Sequence, residues 1–311
     1  MWPNRSALII ALFIPPGLLA GATPIVPELE LTHAWSVEGP GRFDASGLTL
    51  RDGMLYVVTD RHQDTIFRLE LDGDVARATP FVTFIPPQPL PEAGYLDNEG
   101  LTLAKDGGFY VASELGFAVY HVPPGGGAAA WVTPNVRAAG ETVGLFATKD
   151  AFVEGVAVLE DGGFLIAAER QPRGLVEVIG GNPAQRMCAQ EMDASNHPIP
   201  TGRRFDFADL CIWHDRVFAL ARNQHLVVAL RRDSDGAWTE GEAWSYAQTE
   251  NATPHRFVDM TYGQGEGLFI DDTLIYVLLD NNAIAREGRP DDKRTWLFAF
   301  RNPIPSTTNL R

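Results

Sequence analysis

An all-β fold built from repeated copies of one four-stranded unit is predicted by three observations. Five segments share a single pattern at near-constant spacing. Turn formers are plentiful, with 30 Gly and 22 Pro in 311 residues, which suits short strands joined by tight turns. No segment sustains a helical period, so almost no helix is expected.

The repeats are DASGLTLRDGMLYVVTD (44–60), DNEGLTLAKDGGFYVASE (97–114), FVEGVAVLEDGGFLIAAE (152–169), DFADLCIWHDRVFALAR (206–222) and GQGEGLFIDDTLIYVLLD (263–280). Each has a small or acidic opening within its first three residues and runs through a short apolar strand, a polar turn and a second apolar strand. Four of the five end on a carboxylate. Aligned on Gly47, Gly100, Gly155, Leu210 and Gly267, the repeats lie 53, 55, 55 and 57 residues apart. That interval fits one four-stranded blade of a β-propeller. Asp106-Gly107 and Asp161-Gly162 mark the hairpin between the two inner strands, since Asp-Gly is a strong short-hairpin signal.

The intervening sequence supplies outer strands. IFRLEL (66–71) and FVTF (81–84) complete the first unit, and FAVYHV (117–122) with AAWVT (129–133) the second. GLVEVI (174–179) follows the third hairpin, HLVVAL (225–230) and EAWSYA (242–247) the fourth, and WLFAF (296–300) the fifth. The fifth unit therefore lacks one strand, and THAWSV (32–37) is an orphan at the other end. Ring closure accounts for both: 32–37 becomes the outer edge of the last blade and removes an exposed edge. The expected fold is a five-bladed propeller, with six blades as the alternative if 180–205 hides a degenerate unit.

Residues 1–22 read as a signal peptide, and 23–311 as one propeller domain. Arg5 precedes the apolar run ALIIALFIPPGLLAGA (7–22), which ends on Ala20-Gly21-Ala22, a small-x-small cleavage pattern. Pro15 and Pro16 interrupt the run, so it spans a bilayer poorly. The expected location is the periplasm or the extracellular space, with no stable membrane span. Without residues 1–22 the chain carries 24 basic and 40 acidic residues, net −16. Such a surface repels nucleic acid and anionic lipid. It suits cations or a metal-bridged anion. Cys188 and Cys211 either pair in an oxidising space or stay as two thiols. Asn251-Ala252-Thr253 matches a glycosylation sequon, relevant only in a eukaryotic secretory route.

In a propeller the start of each inner strand and the end of its neighbour share one rim. This predicts an inner acidic ring of Asp44, Glu99, Glu154, Asp209 and Glu266, and a second ring of Asp60, Glu114, Glu169, Arg222 and Asp280. Asn98, Asn223, Asn281 and Asn282 add neutral oxygens. Carboxylates converging on one mouth cannot all stay ionised without a cation, and hard oxygen ligands favour Ca²⁺, with Mg²⁺ also suited. The other use of such acids is to hold blades together by accepting backbone N–H bonds or pairing with arginine. Arg61, Arg170 and Arg222 follow or replace the second-ring acids. With His62 and His225 they form a candidate site for an anionic substrate.

Other chemistries lack their signatures. The sequence contains no GxSxG elbow, no P-loop, no GxGxxG fingerprint after a strand and no HExxH.

The repeat texts SGLTL…LYVVTD, NEGLTL…DGGFYVASE, EGVAVLEDGGFLIAAER and GEGLFI…YVLLDNN resemble the domain called esterase-like activity of phytase. The resemblance covers nearly all of the chain after residue 22. SdiA-regulated periplasmic propellers show similar strand openings. The first resemblance implies a secreted, metal-dependent hydrolase of phosphate or other esters. Its acid-Gly openings fall on Glu99, Glu154 and Glu266, and its strand-end acids on Asp60, Glu114 and Glu169. The fourth repeat departs from it, with Asp209-Leu210 for Glu-Gly and Arg222 for the acid. The histidine-phosphatase motif RHGxRxP is absent. In this reading Glu99 or Glu154 holds metal or acts as base, and Arg222 binds the anion. Two further readings stand beside it: a metal-dependent lactonase, and a non-catalytic propeller with a structural cation that docks a protein or glycan.

Overall fold

A computed structural model describes residues 26–180 and 185–305. The expected signal peptide at 1–22 lies outside the described residues. The strands are β1 (Leu31–Glu38), β2 (Ala45–Arg51), β3 (Met54–Thr59), β4 (Thr65–Asp72), β5 (Val75–Ile85), β6 (Asn98–Leu103), β7 (Phe109–Ser113), β8 (Ala118–Val122), β9 (Gly127–Ala128), β10 (Ala130–Trp131) and β11 (Val153–Val158). They continue with β12 (Phe164–Ala168), β13 (Gly174–Ile179), β14 (Arg186–Glu191), β15 (Asp209–Trp213), β16 (Arg216–Ala221), β17 (Leu226–Arg232), β18 (Trp238–Ser245), β19 (Gly265–Ile270), β20 (Leu274–Leu279) and β21 (Trp296–Arg301). Two short helices, α1 (Arg137–Glu141) and α2 (Ala247–Glu250), lie in connections. Among the described residues no helix is long and apolar enough to cross a membrane.

The chain is an all-β propeller. Twenty of its strands form four-stranded sets ordered β2-β3-β4-β5, β6-β7-β8-β10, β11-β12-β13-β14, β15-β16-β17-β18 and β19-β20-β21-β1, and the two-residue β9 pairs parallel with the end of β5. The last set takes its outer strand from the start of the described chain, as expected. β1 pairs antiparallel with β21, Trp35 opposite Leu297. The same strand runs parallel to β5, Val37 opposite Ala76, and so joins the last set to the first in one sheet. The inner strands β2, β6, β11, β15 and β19 pack side by side in that order, and β19 returns to β2. That return is tight: a Cβ at Gly267 would run into the Ser46 carbonyl and Leu48, so only glycine fits there.

The hairpins form where Asp-Gly predicts them. Gly107 adopts φ +86°, and Asp106 Oδ1 accepts the Gly108 N–H at 2.8 Å. Each pair of neighbouring sets shares a core, because alternate side chains of every strand point to opposite faces. Between the second and third sets, Val119, Val156, Ile166 and Val178 are fully buried. Between the fourth and fifth sets, Phe218, Val277 and Phe298 are fully buried.

Two strands differ from expectation. Residues 186–191 form β14, the outer strand of the third set, in a stretch with little apolar alternation. AAWVT shrinks to the two-residue β10, with the Val132 and Thr133 N–H groups both directed at the Val119 carbonyl. Cys188 and Cys211 are unpaired, the first exposed and the second buried.

Candidate functional site

The inner strands begin at one end of the ring, and there they surround a cavity of about 280 Å³. Its wall carries nine carboxylates (Asp60, Asp97, Glu99, Glu114, Asp150, Glu154, Glu169, Glu266 and Asp280), with only Arg170 and Arg222 as cations. Ser46 and Asn282 complete it. The alternation of each inner strand turns the acid-Gly opening toward the axis, and the end of its hairpin partner brings the second acid to the same rim.

The acids gather in two groups that share one member. Ligand atoms of Asp97, Glu99 and Glu114 lie within 4.8 Å of one another, and so do those of Glu114, Glu154 and Glu169. Glu114 accepts the Phe152 N–H at 2.9 Å. After burial, the neighbouring charge of Asp97 raises its carboxyl further. Glu154 is 6% exposed, lines the cavity and makes no side-chain hydrogen bond or ion pair among the described residues. The buried Asp60 Oδ1 and Glu266 Oε2 atoms also lack a hydrogen-bond partner.

The electrostatics follow from burial. Desolvation, followed by the charges of Glu114 and Asp97, pushes Glu99 well above the usual carboxylate range. Desolvation and Glu99 do the same to Glu154. Burial raises Asp60, Glu114 and Asp280 to about 7. Asp97 is also raised, again by burial first. Near neutral pH the cavity therefore holds protons in place of missing positive charge.

The arginines neutralise one side. Arg222 donates from Nε to Asp206 Oδ2 at 2.9 Å, and its two terminal nitrogens meet Glu266 and Glu169. Arg170 also meets Glu169. A side chamber of about 250 Å³ opens from the cavity, sharing Arg170, Arg222, Glu266, Asp280 and Asn282 with it and adding Tyr262 and Ile284.

The structure thus brings together Asp60, Glu99, Glu114, Glu154, Glu169, Glu266, Asp280, Arg170 and Arg222. It holds apart the other residues expected at the site. Asp209 is buried between β15 and β19, its two oxygens accepting the Leu210 and Leu268 N–H groups at 2.8 Å each. It staples neighbouring strands and corrects its expected place as a metal ligand. Asp44 is bound by Arg42 and by Arg61, whose Nε lies at 2.6 Å, and it does not line the cavity. Arg61 is occupied by Asp44 and by Asp60 at 3.4 Å.

Both histidines are likewise corrections. His62 bonds Thr59 Oγ1 at 3.0 Å and packs against Phe43 and Phe67. His225 is buried, with Nδ1 2.9 Å from Glu250 and Nε2 2.5 Å from Arg203. Neither ring lines the cavity. Among the asparagines only Asn282 does so. Asn98 accepts the Tyr120 hydroxyl at 2.8 Å, Asn223 accepts the Gly263 N–H at 3.1 Å, and Asn281 donates to Ile284 and Lys293 carbonyls.

Asp97, Asp150, Asp206 and Ser46 escaped the sequence reading. A signal for one was present. Alignment on Gly47 places Ser46, not Asp44, at the position of Glu99, and Asp44 at that of Asp97.

Residues 43–177 match the family described as esterase-like activity of phytase. The match to this phytase-like family runs from just before β2 nearly to the end of β13, and so spans Asp60, Asp97, Glu99, Glu114, Asp150, Glu154 and Glu169. No curated protein matches the sequence. Among solved structures, glutaminyl cyclase from Myxococcus xanthus aligns over 89% of this chain and 97% of its own, at 10% identity and TM-score 0.53. PQQ-bound aldose sugar dehydrogenase from Streptomyces coelicolor aligns over 90% and 100%, at 12% identity and TM-score 0.47. Virginiamycin B lyase from Staphylococcus aureus with quinupristin aligns over 91% and 75%, at 13% identity and TM-score 0.42. At these identities the likeness is one of fold.

Proposed function

We propose that this chain is a Ca²⁺-dependent hydrolase of small phosphate or other esters, exported from the cytoplasm and built on five blades. One observation carries the reading: nine carboxylates face two arginines in one small cavity. The donor set fits the ion, since Ca²⁺ takes six to eight hard oxygen ligands. Glu154 fits it too, as a buried acid with no partner of its own. Asp97, Glu99, Glu114 and Glu154 would hold the cation, with Asp60 and Asp280 nearby. A bound Ca²⁺ would supply charge to polarise a carbonyl or phosphoryl oxygen and to acidify a coordinated water.

The rest of the work falls to this chain's own groups. Arg170 and Arg222 offer guanidinium donors to an anionic ester group at the entrance to the side chamber. Burial holds Glu99 and Glu154 above the usual carboxylate range, and whichever of the two the cation leaves free would exchange a proton with water or a leaving oxygen. Export rests on the pattern of residues 1–22 alone. The phytase-like match supports the ester reading, and lactones belong in the same screen.

A second reading has its own support. Arg222 ties Glu169, Asp206 and Glu266 across three sets, as a structural centre would. In that reading the cation only holds blades together, and the rim docks a protein or glycan. The deciding experiment is a panel of phosphomonoesters, carboxylic esters and lactones assayed with Ca²⁺ and with chelator. Turnover that needs Ca²⁺ and is lost in Glu154→Gln supports the hydrolase. A Ca²⁺-dependent rise in melting temperature with no turnover supports the structural ion. Absence of both removes the cation.

A further inference from the structure

At the end of the ring opposite the mouth, the turns that close the inner hairpins stand side by side. Two junctions there carry a polar lock between neighbouring sets. Arg51, at the end of β2, donates to the Gly107 carbonyl of the second set. His214, just after β15, lies 2.6 Å from Asp272 in the turn after β19. Aligned on Gly47, Gly155, Leu210 and Gly267, Arg51, Leu159 and His214 share one repeat position, and Asp215 and Asp272 share the next. Between the third and fourth sets the pair is therefore Leu159 and Asp215. Among the described residues no side-chain hydrogen bond or ion pair joins residues 158–161 to residues 212–217. A groove of about 690 Å³ opens there, with Val158, Leu159, Ile212, Val217 and Trp238 as its apolar wall. Glu160, Asp161 and Asp215 stand exposed beside them and make no ion pair among the described residues. Arg232 also lines the groove, but it is held by Glu177 at 2.9 Å and by the Gly236 carbonyl at 3.1 Å. Trp238 is 8% exposed, and its indole N–H finds no acceptor among the described residues.

We propose that this groove binds a short basic and apolar peptide segment of a partner protein. Each feature selects one part of that chemistry. Three acids without a cation call for a lysine or arginine side chain, the role that His214 fills for Asp272 at the next junction. The apolar wall calls for an aliphatic side chain beside it. A buried donor without a partner is costly, and a peptide carbonyl supplies the missing acceptor for the indole N–H. A simple amine brings the charge without the carbonyl. An anionic lipid surface would meet the three acids and be repelled. The groove lies at the far end of the ring from the acidic cavity, so the inference stands or falls apart from the hydrolase reading.

The test is an NMR titration of the ¹⁵N-labelled full chain with four probes: Ac-Leu-Lys-Leu-Arg-NH₂, Ac-Leu-Glu-Leu-Glu-NH₂, Ac-Gly-Lys-Gly-Arg-NH₂ and butylamine. The first peptide should shift the Trp238 indole signal and the amides of residues 158–162 and 212–217, and the other three should bind more weakly. Replacing Asp215→Asn and Glu160→Gln together should weaken the first peptide about fivefold, the loss expected for two exposed charge contacts. Leu159→Arg should abolish its binding, because the new guanidinium can take Asp215 as His214 takes Asp272. All three positions lie at the surface end of their turns, and unchanged amide signals elsewhere in the spectrum check that each variant is folded. The inference is overturned if the first peptide shifts no signal at the groove, if any other probe binds as tightly, or if both variants bind the first peptide as the parent does.

Discussion

Asp206 is held at two points, by the Arg222 side chain and by the backbone of Asn223. The guanidinium Nε donates to Asp206 Oδ2 at 2.9 Å, while Oδ1 of the same carboxylate accepts the Asn223 N–H at 3.0 Å. Asp206 is fully buried. Removing the arginine therefore leaves buried Asp206 with only a backbone donor, leaves Glu169 to Arg170 and uncovers Glu266. Loss of one partner from a buried pair costs about 3–5 kcal/mol, so Arg222→Met should unfold at markedly lower urea in chelator. Calcium should restore more stability to this variant than to the parent, because the freed acids add to the cation's ligands. Urea titrations with EDTA and with CaCl₂ measure both effects. Equal rescue would mean that Glu169 and Glu266 stay outside the cation's shell, and rescue of neither would count against a cation in this cavity.

Asp209 shows the difference between an acid that staples and one that binds. Both of its oxygens already accept backbone N–H groups, one from β15 and one from β19. Asn offers one oxygen and turns an NH₂ toward the other donor. Asp209→Asn should lower stability by about 1–3 kcal/mol, the cost of an unsatisfied buried donor. The calcium-induced shift in melting temperature should be unchanged. A lost shift would return Asp209 to the ligand set.

The cysteines allow a direct count. Cys188 is exposed and Cys211 is buried, where desolvation pushes its thiol up to about 12. Only a thiolate attacks a disulfide reagent. The native protein should consume one equivalent of Ellman's reagent quickly, and the unfolded protein two. No reaction in either state would mean that the two sulfurs are paired in the purified protein.

Much of the architecture was legible because a repeated unit imposes a period on its sequence. The inner hairpins, the orphan strand at 32–37 and the convergence of Glu99, Glu114, Glu154 and Glu169 all follow from one alignment. Asp97 and Ser46 escaped although the period holds them, and the rest of what escaped lies where the period fails. Asp150 and Asp206 sit in connections between sets, and β14 has an exposed, polar pattern that resembles a loop. His225 falls at the right rim by position, yet the preceding 3-10 turn (Arg222–Gln224) and Glu250 of α2 draw its ring inward. A local sequence does not show a partner 25 residues away.

The raised carboxyls fix the sign of the pH response. Asp60, Glu114 and Asp280 titrate at about 7 in the fold and near 4 in an unfolded chain. Between those values the native state binds more protons than the unfolded state, so stability falls as pH rises through that window. Without calcium the protein should melt at a higher temperature at pH 5 than at pH 8. Calcium should reverse the order, since the cation replaces protons and binds more tightly as they leave. Glu154→Gln isolates one site of this balance. It removes a buried carboxyl that has no partner and is held above its usual range, so the variant should be more stable than the parent at pH 8 in chelator. The same substitution removes a ligand, so its calcium-induced shift should shrink. Calorimetry of parent and variant at both pH values, with and without CaCl₂, reads all of these terms. A parent that gains stability from pH 5 to 8 in chelator would show that the cavity's acids are already neutralised by the protein itself, with no place left for a cation.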